Sequence, residues 1–292
     1  MRSPGVTILS DHICELGEGP TYEPGRNRLF WFDIVGRKLL EKAWPDGQTI
    51  VHDLPEMASA IATIDHGRQL LFTETGLYIR HEEDGRLQHH CEIEADDPAT
   101  RSNDARVHPC GAFWLGTMGK RAEKAAGAIY WHRAGEVRRL FAGITIPNSI
   151  CFSPDGRVAY FGDTDENLLF AVECDPGSGL PRSEPRIFVD GRGREGGIDG
   201  SVVDAEGRLW NARWGAGALD CYSPAGELLQ TIPLPTSQTS CPAFVGPDAA
   251  RLAVTSAWQG MDEAARAAEP EAGKTFLVDI AVQGRFEPRA LL

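Results

Sequence analysis

The sequence lacks the features that identify membrane, secreted and zinc-thiolate proteins. No apolar run approaches the roughly 18 residues that a membrane-spanning helix needs. The N-terminal segment has no continuous apolar stretch followed by a small-residue cleavage site, which argues against a signal peptide. The seven cysteines are odd in number, irregularly spaced and never form a C-x-x-C pair, which argues against a zinc-thiolate or redox site. We therefore expect a cytoplasmic protein whose cysteines are small core residues.

Positive charge is scarce as well. The chain has 29 Lys and Arg against 42 Asp and Glu, a formal net charge of -13, and the acidic residues are spread along its length. Such a balance repels a phosphate backbone and an anionic membrane surface. We expect a solvated acidic surface, no nucleic-acid partner and no membrane partner, and a monomer or weak homo-oligomer.

Common catalytic motifs are missing. There is no G-x-S-x-G and no H-E-x-x-H, and the eight His show no metal spacing, so we expect all of them on the surface. Gly191–Gly196 reads GRGREG, but a dinucleotide site needs a helix directly afterwards, and Ile198–Asp204 has the pattern of a strand. A loop is the better interpretation of these glycines.

The sequence does contain one pattern six times: an apolar strand, a turn and a second apolar strand. The first apolar residue after each turn serves as an anchor, and successive anchors are roughly 40 to 50 residues apart. A period of this length with several strands per unit is typical of a β-propeller. The six anchors are Leu29, Leu70, Phe113, Val158, Leu209 and Leu252.

Each repeat continues with a second pair of strands joined by a glycine-containing turn; in the sixth repeat this pair is predicted over Thr275–Leu291. Four antiparallel strands per repeat predict an all-β, six-bladed propeller that occupies residues 1–292 as a single domain. Val6–Cys14 is an additional strand, which we expect to complete the last blade and close the ring. Helical signal is limited to Met261–Ala268, ended by Pro270.

The first strand of each repeat should carry the functional residues. In a propeller the innermost strands line a central channel, and their starts converge at one mouth. Ten or eleven residues before the anchor, two repeats have small or apolar residues, whereas the other four have a carboxylate or a carboxamide. These four residues are Glu18, Asn103, Asn148 and Asp199. Their shared position predicts that they point at one place on the axis.

Two interpretations of these four residues are open. Asn and Asp are common turn residues, so each alone could simply begin a strand. Two carboxylates and two amides that converge are costly to desolvate, however, and a hard divalent cation with oxygen ligands offsets that cost. Their common position favours a site for one divalent cation.

Seven short segments are spread over nearly the whole chain: LGEGP at 16–20, RSND at 101–104, GTM at 116–118, IPN at 146–148, SPDG at 153–156, IDGSVVDAEG at 198–207 and TSC at 239–241. In order and spacing they resemble the gluconolactonase/regucalcin (senescence marker protein) family of six-bladed propeller lactonases. The resemblance implies that Glu18, Asn148 and Asp199 bind one divalent metal and that Arg101 and Asn103 bind substrate hydroxyls.

The chain departs from this family at two places. Members commonly have Gly after the metal-binding Asn, where this chain has Ser149; Ser is small, so ligation should survive. Animal relatives have acidic residues after GTM, where this chain has Gly119, Lys120 and Arg121. Those cations could suit a lactone with a free carboxylate, or they could be ordinary surface side chains.

These observations lead to one leading hypothesis and two alternatives. The leading one is divalent-metal-dependent hydrolysis of a sugar lactone to its aldonic acid in carbohydrate catabolism, with the metal as Lewis acid and Asp199 activating water. Ca²⁺, Zn²⁺, Mn²⁺ and Mg²⁺ are all compatible with oxygen ligands. The alternatives are a non-enzymatic calcium-binding propeller and a propeller esterase of other specificity. The fold alone does not distinguish between these three functions.

Overall fold

The computed structural model describes residues 5–292, so the first four residues of the predicted domain lie outside the described residues. Its strands form six sheets of four antiparallel strands each, and every sheet is one blade of a six-bladed propeller. The all-β propeller prediction is therefore confirmed. The first strand of each blade contacts the first strands of both neighbouring blades, which closes the ring around a central channel.

Strand β1 (Gly5–Ser10) precedes the first blade. Blades 1 to 3 follow in chain order: β2 (Gly17–Glu23), β3 (Arg28–Asp33), β4 (Lys38–Ala43) and β5 (Thr49–Asp53); β6 (Ala58–Thr63), β7 (Arg68–Thr73), β8 (Gly76–His81) and β9 (Leu87–Glu92); β10 (Thr100–Val107), β11 (Phe113–Gly119), β12 (Gly127–Arg133) and β13 (Glu136–Ile144).

Blades 4 to 6 complete the ring, with the single helix of the described residues inserted before the last strand. They consist of β14 (Pro147–Phe152), β15 (Val158–Asp163), β16 (Leu168–Glu173) and β17 (Arg186–Asp190); β18 (Gly197–Val203), β19 (Leu209–Trp214), β20 (Ala218–Tyr222) and β21 (Leu228–Pro233); β22 (Thr239–Val245), β23 (Arg251–Ser256), α1 (Glu263–Ala268) and β24 (Thr275–Asp279).

The predicted anchors mark the second strand of every blade. Each anchor falls within the first three residues of β3, β7, β11, β15, β19 or β23. The predicted helix is also present as α1, where the Asp262 side chain accepts a hydrogen bond from the Ala265 amide at 2.8 Å and caps the first turn. Gly191–Gly196 is a loop between β17 and β18, as predicted. Helix α1 is too short to span a bilayer, and it is the single helix in residues 5–292.

Ring closure follows the prediction in one respect and corrects it in another. Strand β1 pairs antiparallel with β24, so the N-terminal segment supplies the fourth strand of blade 6 as expected. The predicted strand pair over Thr275–Leu291 is wrong, because only Thr275–Asp279 forms a strand. The outer position of blade 6 is already taken by β1, which leaves the segment 280–292 without a strand to pair with.

Residues 280–292 instead cover the far ends of the first strands, which we call the floor of the channel. The Ala290 amide donates to the Thr63 carbonyl at 2.9 Å, and the Leu291 amide donates to the Gly111 carbonyl at 2.9 Å. Glu287 forms an ion pair with Arg106 of β10 at 3.1 Å. The C-terminal segment therefore links blades 2 and 3 at the end of the channel opposite the mouth.

The core consists of six apolar clusters, and each lies between two neighbouring blades. Burial of this kind makes each blade depend on its neighbours. Five of the seven free cysteines are buried, as expected of small core residues. The prediction that all eight His lie on the surface is wrong for His108 and His132, both fully buried. His108 is buried because its Nε2 bonds the Gly156 carbonyl at 2.8 Å.

Candidate active site

The starts of the first strands surround one cavity of about 300 Å³ at the mouth of the channel. All five residues predicted from the sequence line it, although they come from four blades and are up to 181 positions apart in the chain. Each of them is at most 8% exposed. They are Glu18, Arg101, Asn103, Asn148 and Asp199.

An irregularity in the backbone explains how these side chains come to face the channel. All six first strands lose their regular register near their start, so that two residues oppose one on the second strand. The shift follows Glu18 and Asn148 directly and includes Asn103 and Asp199. A β-bulge bends the strand and redirects a side chain. The repeated bulge therefore turns equivalent residues of several blades toward one point.

The bulge of blade 1 depends on glycine. Gly19 has a φ of 57°, and a Cβ at this position would run into the Ser59 carbonyl oxygen of blade 2. Only glycine combines a positive φ with this close approach. The Gly19 amide donates to Oε2 of Glu18 at 2.9 Å and so orients the carboxylate.

A chain of hydrogen bonds joins the polar groups of blades 3, 4 and 5. Nη1 of Arg101 donates to Oδ1 of Asn103 at 2.9 Å, and Nδ2 of Asn103 donates to Oδ1 of Asn148 at 2.9 Å. Nδ2 of Asn148 donates to Oγ1 of Thr164 at 2.8 Å, and Thr164 donates to the Ile198 carbonyl at 2.6 Å. The network fixes Asn148 with its oxygen toward the cavity and leaves Nη2 and Nε of Arg101 without a partner among the described residues.

The carboxylates of Glu18 and Asp199 are buried without ion-pair partners in the part of the chain that the structure describes. Burial, together with the charge of Asp104, raises the pKa of Glu18 to about 8. Burial and the charge of Glu18 raise the pKa of Asp199 well above its usual range. Burial lowers the pKa of Arg101 to about 10, so its guanidinium is charged at neutral pH. Without a bound cation the site therefore disfavours the charged forms of Glu18 and Asp199, which a bound cation would favour.

This donor set fits a divalent cation. Glu18, Asn148 and Asp199 offer carboxylate and amide oxygens around one cavity, and such oxygens are the preferred ligands of hard cations. Two close carboxylates that lack cationic partners are stabilised most directly by a metal charge. Three protein ligands leave coordination positions for water or substrate.

Ser149, the residue found where the family commonly has Gly, lies directly behind the site. It has a φ of 58° and is fully buried. Its hydroxyl donates to the carbonyl oxygen of Asp199 and lies 2.9 Å from Oγ of Ser201. Nδ2 of Asn211 donates to the same carbonyl at 2.9 Å. Ser149 therefore has an unfavourable left-handed backbone conformation, and its hydroxyl fixes the main chain of Asp199 by a hydrogen bond.

We predict that Ser149→Gly is less destabilising than Ser149→Ala. Both variants lose the hydroxyl, at a cost of about 1 kcal/mol, but only Gly relieves the left-handed backbone, which is worth a further 1 kcal/mol or so. Urea unfolding of both variants measures the difference. Ser240→Ala, a buried serine of β22, is the control for loss of a hydroxyl alone. Equal unfolding midpoints for the Gly and Ala variants contradict the backbone argument.

Lys120 and Arg121, which the sequence left open as cavity or surface residues, line the mouth of the cavity. Nζ of Lys120 lies 2.5 Å from a carboxylate oxygen of Glu74, and Nε of Arg121 lies 2.9 Å from one of Glu123. Both cations are thus paired with acidic neighbours. The rim of the cavity, formed here by Lys120 and Arg121, therefore has less unpaired positive charge than the sequence alone indicates.

Several cavity residues were not predicted from the sequence, because they do not lie at the start of a first strand. Met118 lies opposite Arg101 on the neighbouring strand β11, and Trp214 ends β19. Three of the family segments, LGEGP, GTM and IPN, contain one of these residues each, so the resemblance was the sequence signal that pointed to them. The unpredicted residues are Leu16, Met118, Ala122, Ile146, Thr164, Trp214 and Gln259. They give the cavity an apolar wall and a few polar contacts.

Comparison with known proteins agrees with this architecture. A Rhizobium meliloti (strain 1021) protein with the provisional name sugar lactone lactonase is 52% identical over 280 residues, which cover 96% of this chain and 95% of that one. The L-arabinolactonase of Azospirillum brasilense is 35% identical over 278 residues, 93% of this chain and 91% of the relative. A solved structure described as the calcium-binding protein regucalcin from Agrobacterium tumefaciens str. C58 has a TM-score of 0.98 at 47% identity, with 100% of both chains covered.

The family described as SMP-30/Gluconolactonase/LRE-like region matches residues 16–258. This range contains all five predicted site residues and the first strands of all six blades. The chain belongs to the SMP-30/gluconolactonase/LRE-like family.

Proposed function

We propose that this protein hydrolyses a sugar lactone to the open-chain aldonic acid with the help of one divalent cation. The observation that carries the proposal is the convergence of two buried carboxylates without ion-pair partners, two amides and a guanidinium on one cavity in a member of this family. Relatives named for lactonase activity, 52% and 35% identical over most of the chain, support it. The cavity of about 300 Å³ suits a small molecule.

Glu18, Asn148 and Asp199 would hold the cation. A bound divalent cation supplies Lewis-acid polarisation of the lactone carbonyl and stabilises the negative charge that develops on its oxygen. Its identity among Ca²⁺, Zn²⁺, Mn²⁺ and Mg²⁺ is left to experiment, since three oxygen ligands discriminate poorly between them. The relation to a calcium-binding regucalcin makes Ca²⁺ the first ion to test.

Asp199 is the proposed general base. Water attacks the lactone carbonyl carbon while the Asp199 carboxylate takes its proton, and the ring C–O bond then breaks. The leaving ring oxygen receives a proton and becomes a hydroxyl, so that lactone and water give the hydroxy acid. Hydrogen bonds from Ser149 and Asn211 to the carbonyl of Asp199 hold its backbone in place during the reaction.

Arg101 and Asn103 are the proposed substrate-binding residues. Nη2 and Nε of Arg101 are unpaired within residues 5–292 and can donate to sugar hydroxyls. Both hydrogens of the Asn103 amide are committed to Pro147 and Asn148, so its remaining capacity is to accept at Oδ1. Arg101 therefore provides most of the hydrogen bonds that orient the substrate. Asn103 also holds the side chains of Arg101 and Asn148 in place.

A non-enzymatic calcium-binding propeller is the second candidate function, favoured by the same regucalcin relation. A purely calcium-binding role needs the three oxygen ligands, but it does not explain why the cavity contains the free hydrogen-bond donors Nη2 and Nε of Arg101. An esterase of other specificity is a weaker alternative, because no His lines the cavity among the described residues.

The test of the proposal is a panel of aldonolactones assayed after EDTA treatment and addition of each divalent metal. We expect no hydrolysis above background after EDTA and recovery with at least one metal. In Glu18→Gln the metal concentration for half-maximal activity should rise by at least about 10-fold, because one charged ligand is lost. Glu173→Gln, an exposed carboxylate of β16, is the matched control.

Full activity of the EDTA-treated protein contradicts metal dependence. Metal binding by calorimetry without hydrolysis of any lactone favours the non-enzymatic candidate instead.

A further inference from the structure

Three metal-ligating side chains meet between blades 2 and 3, away from the channel. His90 and Cys91 lie on β9, the outermost strand of blade 2, and His132 lies on β12, the third strand of blade 3. One ligand atom from each of the three lies within 4.8 Å of the others. The Nε2 atoms of His90 and His132 are 3.0 Å apart. None of these residues lines the cavity of the candidate active site.

A bulge in β9 explains how two consecutive residues, His90 and Cys91, can both face one metal ion. In a regular strand neighbouring side chains point to opposite faces. Here Tyr78 pairs with His89 and Leu77 pairs with Cys91, so His90 is an extra residue in the ladder. A bulge breaks the alternation and bends the strand. It lets His90 and Cys91 both approach His132.

The distances are close to those of a tetrahedral metal centre. Two imidazole nitrogens about 2.0–2.1 Å from Zn²⁺ are about 3.3 Å apart in tetrahedral geometry, and a thiolate sulfur at about 2.3 Å lies about 3.6 Å from each of them. The pair of nitrogens already stands at 3.0 Å. Side-chain adjustments of a few tenths of an ångström for the rings and about 1 Å for the sulfur complete the arrangement.

The surroundings keep both rings neutral, which is the form that binds metals. His132 is fully buried and its ring packs edge-on against His90, with ring centres 5.0 Å apart. Burial lowers the pKa of His132 to about 4 and also lowers that of His90. Two neutral rings facing each other through Nε2 can share only one hydrogen bond, whereas a metal ion engages both lone pairs.

We propose that His90, Cys91 and His132 form a second metal site, selective for Zn²⁺ or a chemically similar ion, that clamps the outer part of blade 2 to blade 3. Two imidazoles and a thiolate suit a borderline-soft ion, in contrast to the all-oxygen channel site. Binding releases the Cys91 thiol proton and leaves a fourth position for water. Nδ1 of His132 has no acceptor among the described residues, so the affinity falls below that of a four-ligand structural zinc.

The spacing of the His residues in the sequence could not reveal this site. His132 comes 42 positions after His90 and belongs to another blade. Only the packing of neighbouring blades brings them together.

Titration of the full-length protein with Co²⁺ tests the proposal, because a Co²⁺–thiolate bond gives a near-ultraviolet charge-transfer band that an all-oxygen site does not. We expect a band that saturates within two equivalents, because the channel site also takes up Co²⁺, and that disappears when Zn²⁺ is added. It should be absent in Cys91→Ala and at least 100-fold weaker in apparent affinity in His90→Ala, since loss of a direct ligand exceeds the 10–100-fold effect of an outer-sphere change. Zn²⁺ should raise the melting temperature of the wild type by more than that of His90→Ala, in which only the channel site can still bind the ion.

Two controls separate this site from the channel. Glu18→Gln should keep the charge-transfer band, and Cys241→Ala, which removes a buried thiol near the channel, should keep it as well. A wild type without the band, or a band that persists in Cys91→Ala, overturns the proposal. The charge-transfer band and the melting temperature do not depend on lactone hydrolysis, so failure of this proposal and failure of the proposed function can be told apart.

Discussion

Asp199→Asn is expected to lower kcat/KM for lactone hydrolysis by at least about 10³-fold. Loss of a general base alone typically costs 10²- to 10⁴-fold, and this substitution also replaces a charged metal ligand by a neutral one. The shape of the side chain is kept, so the Ser149 and Asn211 hydrogen bonds to the carbonyl of residue 199 should persist. A continuous assay of acid release with the best lactone of the panel measures the loss.

The stability of the same variant shows whether the loss is chemical. Burial raises the pKa of Asp199 above its unfolded value. An acid of this kind binds its proton more tightly in the folded state, so its contribution to stability is lost as pH rises above about 4. Metal-free Asp199→Asn should therefore be at least as stable as metal-free wild type at pH 7. A collapse of its melting temperature would mean that the lost activity reflects unfolding.

Asp190→Asn is the matched control. Asp190 ends β17 at the surface, where it pairs with Arg192. We expect no change in kcat/KM and little change in stability, since exposed ion pairs contribute less than about 1 kcal/mol. Residual activity in Asp199→Asn near that of the control contradicts the role of Asp199 as base and ligand.

The number of blades and the convergence of Glu18, Asn103, Asn148 and Asp199 on one cavity could both be predicted because the repeat is long and regular. Turn glycines and alternating apolar residues repeat with the blade, so the anchors coincide with the second strands. Counting back from an anchor locates the channel-facing residue even without structural information. The bulges that turn these residues inward were not predictable, since no residue type marks them in all six strands.

Features that depend on contacts between distant segments escaped prediction. Thr275–Leu291 has the pattern of a strand pair, but β1 occupies the position where its second strand would pair. His108 was predicted at the surface, yet a carbonyl of the next blade satisfies its ring. The cations of the rim have acidic partners, Glu74 and Glu123, and for Lys120 that partner comes from the preceding blade.

Replacement of the buried Arg106 is the second substitution for which we expect a large effect, in this case on the free energy of unfolding. Its Nη1 pairs with Glu287 at 3.1 Å, and its Nη2 donates to the Ser201 carbonyl at 3.3 Å. The guanidinium also offsets the charge of Asp104, whose carboxyl is buried directly below the active site. Arg106 thus joins the floor segment to the charged residues of the channel.

Arg106→Met is expected to lower the free energy of unfolding by about 3–5 kcal/mol, because removal of one partner leaves buried charge without compensation. Glu287→Gln should cost less, since Glu287 is 22% exposed and water can solvate what remains. Urea unfolding at several pH values measures both. Similar losses for the two variants would contradict a central role of Arg106.

The pH dependence separates a lost charge from lost packing. With Arg106 present the pKa of Asp104 is about 6, and burial is the main cause of that elevation. Without Arg106 the folded pKa rises further, while the unfolded value stays near 4. The deficit of Arg106→Met relative to wild type should then stay nearly constant between pH 4 and 6 and widen as pH rises above about 6, where Asp104 ionises in the folded wild type but not in the variant. Adding Asp104→Asn should recover part of the deficit at pH 8 and little at pH 4, because Asp104 is protonated there. A deficit that is independent of pH and unaffected by Asp104→Asn assigns the loss to packing of the Arg106 side chain instead.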